Sequence, residues 1–207
     1  MQQLNKRRRT MDRHEKLPYD SKIEYLRVDE TSEGNPYINL NFIPSDFDND
    51  IYCKFQYIED SRGVDDWTII AGASNANQSI ISYGIHRGTY FTWVSNGQNS
   101  YSKCPTISSG NIHEVQLLHD GTFILDGTSR FVEPDTAGNK NTVVARIFNP
   151  HKNPCMIVYY LKWYKANKLI LDLIPVRIGD EGFMYNKVDG KLFGNAGTGR
   201  FILGNDV

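Results

Sequence analysis

Short apolar runs separated by turn-forming residues make up the chain after residue 16, and no stretch there repeats its hydrophobic positions every 3.6 residues over three turns. The clearest runs are Val143–Phe148, Met156–Tyr164 and Leu169–Val176. β-Branched and aromatic residues dominate the last two, whose lengths are typical of strands. Lys165-Ala166-Asn167-Lys168 between them is short enough to force an antiparallel hairpin. The pattern predicts an all-β protein organised around this hairpin.

The second strand of the hairpin, Leu169–Ile174, carries apolar residues at both odd and even positions. We therefore expect both of its faces to be largely covered, as in a two-sheet sandwich. Asp120-Gly121 is the strongest short hairpin signal elsewhere in the chain. Further strands are predicted at Ile23–Val28, Tyr37–Ile43, Ile51–Ile58, Trp67–Gly72, Ile80–His86, Thr89–Val94, Val115–His119, Phe123–Asp126, Thr128–Val132, Gly182–Tyr185, Leu192–Gly194 and Phe201–Gly204.

Composition supports one sandwich preceded by a short arm. Aromatic residues make up 12% of the 207 residues, which favours pleated sheets, and this length suits a single β domain. Residues 1–16 hold six basic and two acidic residues, so they carry +4 and the remainder −5 of the total of −1. We therefore predict a basic arm over residues 1–16 and one domain over residues 17–207. The overall charge argues against nucleic acid as the partner of the whole chain.

The arm is too polar to bury a core of its own. One interpretation is an anchor that docks on an acidic surface through Lys6, Arg7, Arg8, Arg9 and Arg13. The alternative is a solvated tail, because runs of charge usually are.

The sequence shows neither a signal peptide nor an apolar run of 18 residues, so we expect synthesis in a cytosol and no membrane span. The three cysteines, Cys53, Cys104 and Cys155, are an odd number and form no complete disulfide framework. All three lie in or beside predicted strands, where a free cysteine behaves as a small buried hydrophobe.

Segments near both ends of the domain share motifs with a known family. They are Tyr25-Leu26, Tyr37-Ile38, Ile174–Arg177, Gly182–Tyr185 and, in a tightly turned closing segment, Asp189–Asn195 with Gly197–Gly199. From residue 17 to residue 207 the chain resembles concanavalin A-like (LamG-type) jelly-roll domains of gut-bacterial phages and prophages, crAss-like phages among them. Residues 31–36 depart from the family pattern in a loop.

The resemblance implies a two-sheet antiparallel jelly-roll sandwich of the kind found in virion appendages and carbohydrate-binding modules. We therefore expect a non-enzymatic virion protein, a fibre, appendage or capsid decoration, that docks through its arm on other virion proteins. Such components are usually symmetric, so a homodimer or homotrimer is expected. A carbohydrate-binding module of a bacterial or prophage surface protein, located at the cell surface, is the alternative.

Carboxylates and histidines give little support to catalysis. A retaining glycosidase needs two carboxyl groups about 5 Å apart, and the pattern Glu-x-Asp-x-Glu is absent from the sequence. Asp46, Asp48 and Asp50 have suitable spacing but follow Pro44-Ser45 in a predicted turn, and they remain weak candidates for calcium. The five histidines form no short pair suited to zinc, so no cofactor other than calcium is considered. A glycoside hydrolase is the least favoured function.

The predicted ligand site is aromatic. The candidates for glycan contact are Trp67, Tyr83, His86, Tyr90, Trp93 and Tyr101. Sugars stack their apolar faces on aromatic rings, and the nearby Asn, Ser and Gln side chains would bind hydroxyl groups of a host surface polysaccharide. The alternative is that these aromatic residues fill the core of the sandwich.

Overall fold

Most of the domain is described by a computed structural model. It describes residues 17–44, 48–58, 67–74, 79–86, 91–96, 102–131, 143–148 and 155–207, and within these it leaves out the side chains of residues 67–69, 74, 79–86, 91–96, 102–106, 130 and 131.

Seventeen strands form within these ranges, confirming the all-β prediction. They are β1 (Ser21–Lys22), β2 (Leu26–Val28), β3 (Ile38–Asn39), β4 (Asn49–Tyr57), β5 (Trp67–Ser74), β6 (Ser79–His86), β7 (Phe91–Asn96), β8 (Ser102–Thr106), β9 (Ile112–Leu117), β10 (Thr122–Leu125), β11 (Thr128–Phe131), β12 (Arg146–Ile147), β13 (Met156–Lys165), β14 (Lys168–Ile178), β15 (Glu181–Asn186), β16 (Leu192–Phe193) and β17 (Ile202–Leu203).

Two antiparallel sheets face each other in a jelly-roll sandwich. The larger sheet has 11 strands, in the order β11-β10-β9-β4-β13-β14-β15-β16, with β1, β2 and β17 attached beside β13 and β14. The smaller sheet has six strands, in the order β3-β12-β5-β6-β7-β8. Among the described residues, no helix has the length and hydrophobicity needed to cross a membrane.

The predicted hairpin lies at the centre of the larger sheet. Lys165 pairs with Lys168, and the two residues between them, Ala166 and Asn167, have φ of 48° and 61°. Positive φ at both positions gives the turn the twist of its strands, which is the geometry that two-residue hairpins favour. The predicted antiparallel hairpin is confirmed.

The inner faces of the two sheets bury one hydrophobic core. The larger sheet contributes Phe55, Leu161 and Trp163, and the smaller sheet contributes Ile38 and Ile147, all fully buried. Because alternate residues of each strand point inward, the sandwich has its expected dry interior. The described cysteines, Cys53 and Cys155, are buried and free, and burial raises the pKa of the Cys53 thiol.

Three predictions about individual strands were wrong. Asp172 and Ile174 of β14 are only half-buried, because they belong to the outer face of the larger sheet, which no strand covers in the described part of the chain. Ile170 is also half-buried, but it lies at a register shift between β13 and β14 and packs against the core. Of the predicted strand Ile23–Val28, only Leu26–Val28 forms a strand, β2, while Ile23 makes an isolated bridge, and Tyr37–Ile43 contracts to β3. In both places the chain meets the closing segment of the protein, which interrupts regular pairing.

The closing segment is fastened to an early loop. The amide N–H of Asn35 donates to the carbonyl of Thr198 (3.0 Å), and the N–H of Ala196 donates to the carbonyl of Tyr37 (2.8 Å). The contact is so close that a Cβ on Gly199 would lie 1.3 Å from the carbonyl oxygen of Glu33. Glycine at this position allows the two backbones to touch.

Asn186 extends the pairing of β14 where β15 ends. Its Oδ1 accepts from the Asp172 N–H (2.9 Å), and its Nδ2 donates to the Ile170 carbonyl (3.3 Å). The same amide also binds the following turn, through the Val188 N–H (3.2 Å) and Asp189 Oδ1 (2.7 Å). The side chain is fully buried and acts as a strand's peptide group would.

Candidate functional site

The outer face of the 11-stranded sheet, turned away from the smaller sheet, is rich in tyrosine. Seven of the nine tyrosines whose side chains are described lie there, all half-buried. In β4, for example, Cys53 and Phe55 point into the core, so Tyr52 points outward. We call the following set the tyrosine face: Tyr19, Tyr25, Tyr52, Tyr159, Tyr160, Tyr164 and Tyr185.

The centre of the tyrosine face lies on β4 and β13. The rings of Tyr52 and Tyr164 are tilted against each other with centroids 5.3 Å apart. Tyr160 lies opposite Lys54, and Lys162 lies opposite Tyr52. Because alternate residues of β13 share a face, Lys162 stands between Tyr160 and Tyr164.

A β-bulge adds a second group of tyrosines. The register of β13 against β4 shifts between Val158 and Tyr160, which leaves Tyr159 unpaired. The Tyr159 hydroxyl donates to Oε1 of Gln56 (2.9 Å), an outward-pointing residue of β4, and its ring meets that of Tyr25 edge-on at 5.8 Å. The bulge thus places two consecutive tyrosines on the same face.

A third group covers the far edge of this face. Tyr185 of β15 pairs with Ile174 of β14 and Leu192 of β16. Tyr19, just before β1, meets the Tyr185 ring edge-on at 5.0 Å. Edge-to-face contacts hold aromatic rings in fixed orientations, so these rings are ordered before any ligand arrives.

The phenol groups of Tyr52 and Tyr160 remain protonated hydrogen-bonding groups at neutral pH, because their pKa values are raised. Burial raises the pKa of Tyr52 above its usual value, and the nearby Asp50 raises it further. Burial likewise raises the pKa of Tyr160, with a further contribution from Glu114. A protonated phenol offers both a donor and an acceptor beside an apolar ring.

Four of the six aromatic residues predicted as a glycan site, Trp67, Tyr83, His86 and Trp93, belong to the other sheet. Trp67 pairs with His86, Tyr83 with Val94, and Trp93 with Gly84, on β5, β6 and β7. Directly opposed residues share a face, and so do residues two apart on one strand, such as Gly84 and His86. Positions 67, 86 and 93 therefore fall on one face of the six-stranded sheet, and position 83 falls on the other. The register therefore divides the predicted cluster.

Other parts of that predicted site are outside the described structure. This applies to Tyr90, Tyr101 and the side chains of the four residues on β5 to β7, so whether they bind a glycan or fill the core stays a prediction. Residues 1–16, with the proposed docking residues Lys6, Arg7, Arg8, Arg9 and Arg13, also lie outside the described residues.

The weak calcium candidates are only partly described. Asp46 lies outside the described residues, and Asp50, predicted in a turn, is instead a buried residue of β4. Its Oδ1 accepts from the backbone N–H of His119 (2.7 Å) and contacts His119 Nδ1 (2.8 Å). That hydrogen bond raises the pKa of His119 against the opposing effect of burial. Within the described ranges no three acidic, histidine or cysteine residues form a metal-binding group.

A small cleft of about 270 Å³ lies at the start of β15. Phe183 forms an apolar wall, and the exposed side chains of Asp180, Glu181 and Arg200 line its rim. Gly194 allows close packing there, since a Cβ at that position would lie 2.9 Å from the Phe183 ring. The cleft has mixed charge and is smaller than sites that enclose drug-sized ligands.

Sequence reasoning missed the tyrosine face although part of its signal was visible. The alternation of Tyr52, Lys54 and Gln56 with Cys53 and Phe55 indicates two different faces of one strand. It does not tell which of those faces is outward, because tyrosine suits both. The contact of Tyr52 with Tyr164 depends on strand pairing across more than a hundred residues, which no local pattern contains.

Comparison with known proteins bears on the fold. No protein-family model matches the chain, and no curated protein matches it. It is similar to the Trypanosoma rangeli sialidase solved in complex with sialic acid, with a TM-score of 0.50 and 12% identity over 71% of this chain and 26% of that one. A mutant of this sialidase with trans-sialidase activity gives a TM-score of 0.45 and 13% identity over 59% and 21% of the two chains.

A galectin of Caenorhabditis elegans, LEC-6, gives a TM-score of 0.35 and 7% identity over 65% of this chain and 94% of that one. The chain thus spans about a quarter of the sialidase that it matches. At 12% identity the similarity to the sialidase solved with sialic acid concerns the fold alone.

Proposed function

We propose that this chain is a non-enzymatic carbohydrate-binding sandwich whose binding surface is the tyrosine face, and that it serves as a virion component. The tyrosine face carries the proposal, because seven half-buried tyrosines line one outer sheet surface. Carbohydrate is also the ligand class of the sialidase that shares the fold, which was solved with sialic acid.

The chemistry of the tyrosine face suits a sugar chain. A phenol ring offers an apolar surface to the C–H face of a pyranose, and its hydroxyl can bind a sugar hydroxyl. Gln56, Lys54 and Gln116 supply further polar groups on the outer surface of β4 and β9. Adjacent strands lie about 4.8 Å apart, so side chains on three neighbouring strands span about 10 Å, which suits an extended oligosaccharide.

Fixed rings also reduce the entropic cost of binding. The Tyr52 and Tyr164 rings contact each other, and Tyr159 is tied to Gln56. A rotamer-rich side chain loses about 0.5–1.5 kcal/mol when a ligand immobilises it, and side chains that are already held avoid most of this loss. The surface is therefore suited to bind without rearrangement.

The carboxylates of the larger sheet do not suit hydrolysis. Glu114 lies 3.7 Å from Lys54 Nζ, Asp172 lies 2.8 Å from Lys187 Nζ, and Asp50 lies 2.8 Å from His119. A retaining or inverting glycosidase needs one protonated and one free carboxyl group facing each other across a sugar. Because each of these carboxylates is paired with a basic residue and not with another carboxyl group, the arrangement supports binding rather than bond cleavage.

The virion setting has a different basis. It rests on the resemblance of the closing segment to phage jelly-roll domains and on the basic residues of the arm. In this setting the arm docks on other virion proteins, the chain assembles as a dimer or trimer, and the tyrosine face contacts host surface polysaccharide. The alternative location is a bacterial cell surface.

A glycan array of the intact protein tests the proposed binding. Tyr52→Ala and Tyr160→Ala are each expected to weaken the array-identified ligand about tenfold, since losing an aromatic anchor typically costs more than 1 kcal/mol. Val188→Ala removes an exposed apolar side chain from a turn and serves as the control. Absence of any glycan signal, or unchanged affinity in both tyrosine variants, contradicts the proposal.

Light scattering of the same variants separates binding from assembly. If Tyr52→Ala and Tyr160→Ala dissociate an oligomer while glycan affinity is unchanged, the tyrosine face is a subunit interface instead.

The arm is tested in the full chain by replacing Arg7, Arg8 and Arg9 with Gln. Loss of capture on virions is expected, and unchanged capture would show that the arm does not dock.

A further inference from the structure

Lys162 occupies the middle of the tyrosine face. It lies on β13 between Tyr160 and Tyr164, opposite Tyr52 on one side and Asp172 on the other. The side chain is half-buried. Its aliphatic stem can therefore lie along the rings while the ammonium group reaches the surface.

The charges around Lys162 are already matched with one another. Lys54 faces Glu114, and Asp172 is bound by Lys187 at 2.8 Å although it is paired with Lys162 in the strand register. Among the residues that the structure describes, the ammonium group of Lys162 has no ion-pair partner. The tyrosine face therefore presents one uncompensated positive charge at its centre.

We propose that Lys162 selects acidic polysaccharides, specifically chains that carry one carboxylate per sugar, such as polyuronates. This inference rests on the proposed carbohydrate function and names its ligand class. A ligand carboxylate would pair with the ammonium group in a partly desolvated setting, where a charge-assisted hydrogen bond is stronger than between neutral groups. The phenol hydroxyls of Tyr52 and Tyr160 remain protonated and can donate to the same sugar.

The surroundings favour one negative charge per sugar over a densely sulfated or phosphorylated chain. Lys54 and Lys187, the lysines near Lys162 on the flanking strands and turn, are already paired with Glu114 and Asp172, so they add no free positive charge. Densely charged anions are bound best by arginine forks or clusters of cations. A single lysine, unpaired among the described residues, matches one negative charge per ligand residue.

Paired probes test this with the intact protein. Oligosaccharides of polygalacturonate and of alginate are each compared with their methyl esters, which keep the sugar chain and remove the charge. At least one acid form is expected to bind about tenfold or more tighter than its ester, the effect of one charge-assisted hydrogen bond. Lys162→Gln should abolish this preference, and Lys162→Arg should retain it.

Two controls separate specific from general electrostatics. Lys168→Gln removes the same charge from the exposed hairpin turn and should leave the preference unchanged. Dextran sulfate should bind no tighter than the best polyuronate. Equal binding of acid and ester, retention of the preference in Lys162→Gln, or tightest binding of dextran sulfate each overturns the inference.

Those outcomes leave carbohydrate binding by the tyrosine face intact, because a glycan is still bound. If neither these probes nor the glycan array give binding, both proposals fail together. The two failures are thus distinguishable.

Discussion

Replacing Asn186 with alanine removes four hydrogen bonds from one fully buried side chain. A hydrogen bond contributes about 1 kcal/mol net, and a buried group left unpaired costs about 1–3 kcal/mol. Two of the four bonds are long, at 3.2 and 3.3 Å, and the exposed turn groups of Val188 and Asp189 can bind water after the change. We therefore expect the free energy of unfolding to fall by about 2–4 kcal/mol.

Thermal and urea unfolding followed by circular dichroism measure this loss. For a domain of this size, 1 kcal/mol corresponds to about 2–4 °C in Tm, so the variant should melt roughly 5–15 °C lower. Asn205→Ala is the control, because its amide binds only the exposed Glu24 and should cost about 0.5 kcal/mol or less. A loss below about 1 kcal/mol in Asn186→Ala would refute the role given to this amide.

A second variant, Asn186→Asp, tests the direction of the bonds. The carboxylate keeps an acceptor for the Asp172 N–H but turns an oxygen toward the Ile170 carbonyl and the Asp189 carboxylate. Hydrogen bonds from Lys191 outweigh burial and hold the pKa of Asp189 below its usual value, so Asp189 stays charged. Burial and this neighbour raise the pKa of the new carboxyl above its unfolded value of about 3.9. The deficit should be smallest near pH 4 and grow as pH rises, and a deficit independent of pH would contradict this reasoning.

Two further predictions concern other sites. Gly199→Ala places a Cβ 1.3 Å from the Glu33 carbonyl oxygen, so it should prevent folding or lower the free energy of unfolding in urea by more than about 3 kcal/mol. Gly127→Ala, at an almost identical φ of +79° but with open space around it, should lower it by only about 1–2 kcal/mol. Similar losses in the two variants would contradict the clash. His119→Gln removes a histidine whose pKa is raised by Asp50. The stabilisation from this pair is complete below the unfolded histidine pKa of about 6.5 and is lost as pH rises through the folded value. The substitution should therefore lower the free energy of unfolding by under about 1 kcal/mol at pH 5.5 and by less at pH 8.5. The opposite trend would refute the pairing.

The sequence predicted the fold where structure is local. The hairpin of β13 and β14 depends on two strand-forming runs and a two-residue turn, all contained within about 20 residues, and it was confirmed. The Asp120-Gly121 turn was also confirmed, because positive φ at glycine is a property of a single position. Such features need no knowledge of distant partners.

The features that were missed depend on distant partners. Ile23–Val28 would form one strand by its own pattern, but Ile23 bridges to Asp206 of the closing segment, and only Leu26–Val28 pair with β13. Predicting the tyrosine face requires knowing both that β13 has a bulge and which side of β4 is buried. The aromatic residues in the middle of the chain were predicted as the ligand site because they lie close to one another in sequence. The residues of the tyrosine face come close to one another only after folding.

The fastening of residues 33–37 by residues 195–200 has a consequence for the order of folding during synthesis. The Asn35 N–H binds a carbonyl 163 residues further along the chain, and Ile23 bridges to Asp206. Contacts of such separation are slow to form because the intervening chain must first be closed. The early strands therefore leave the ribosome before residues 195–206, which complete their pairing, have been translated.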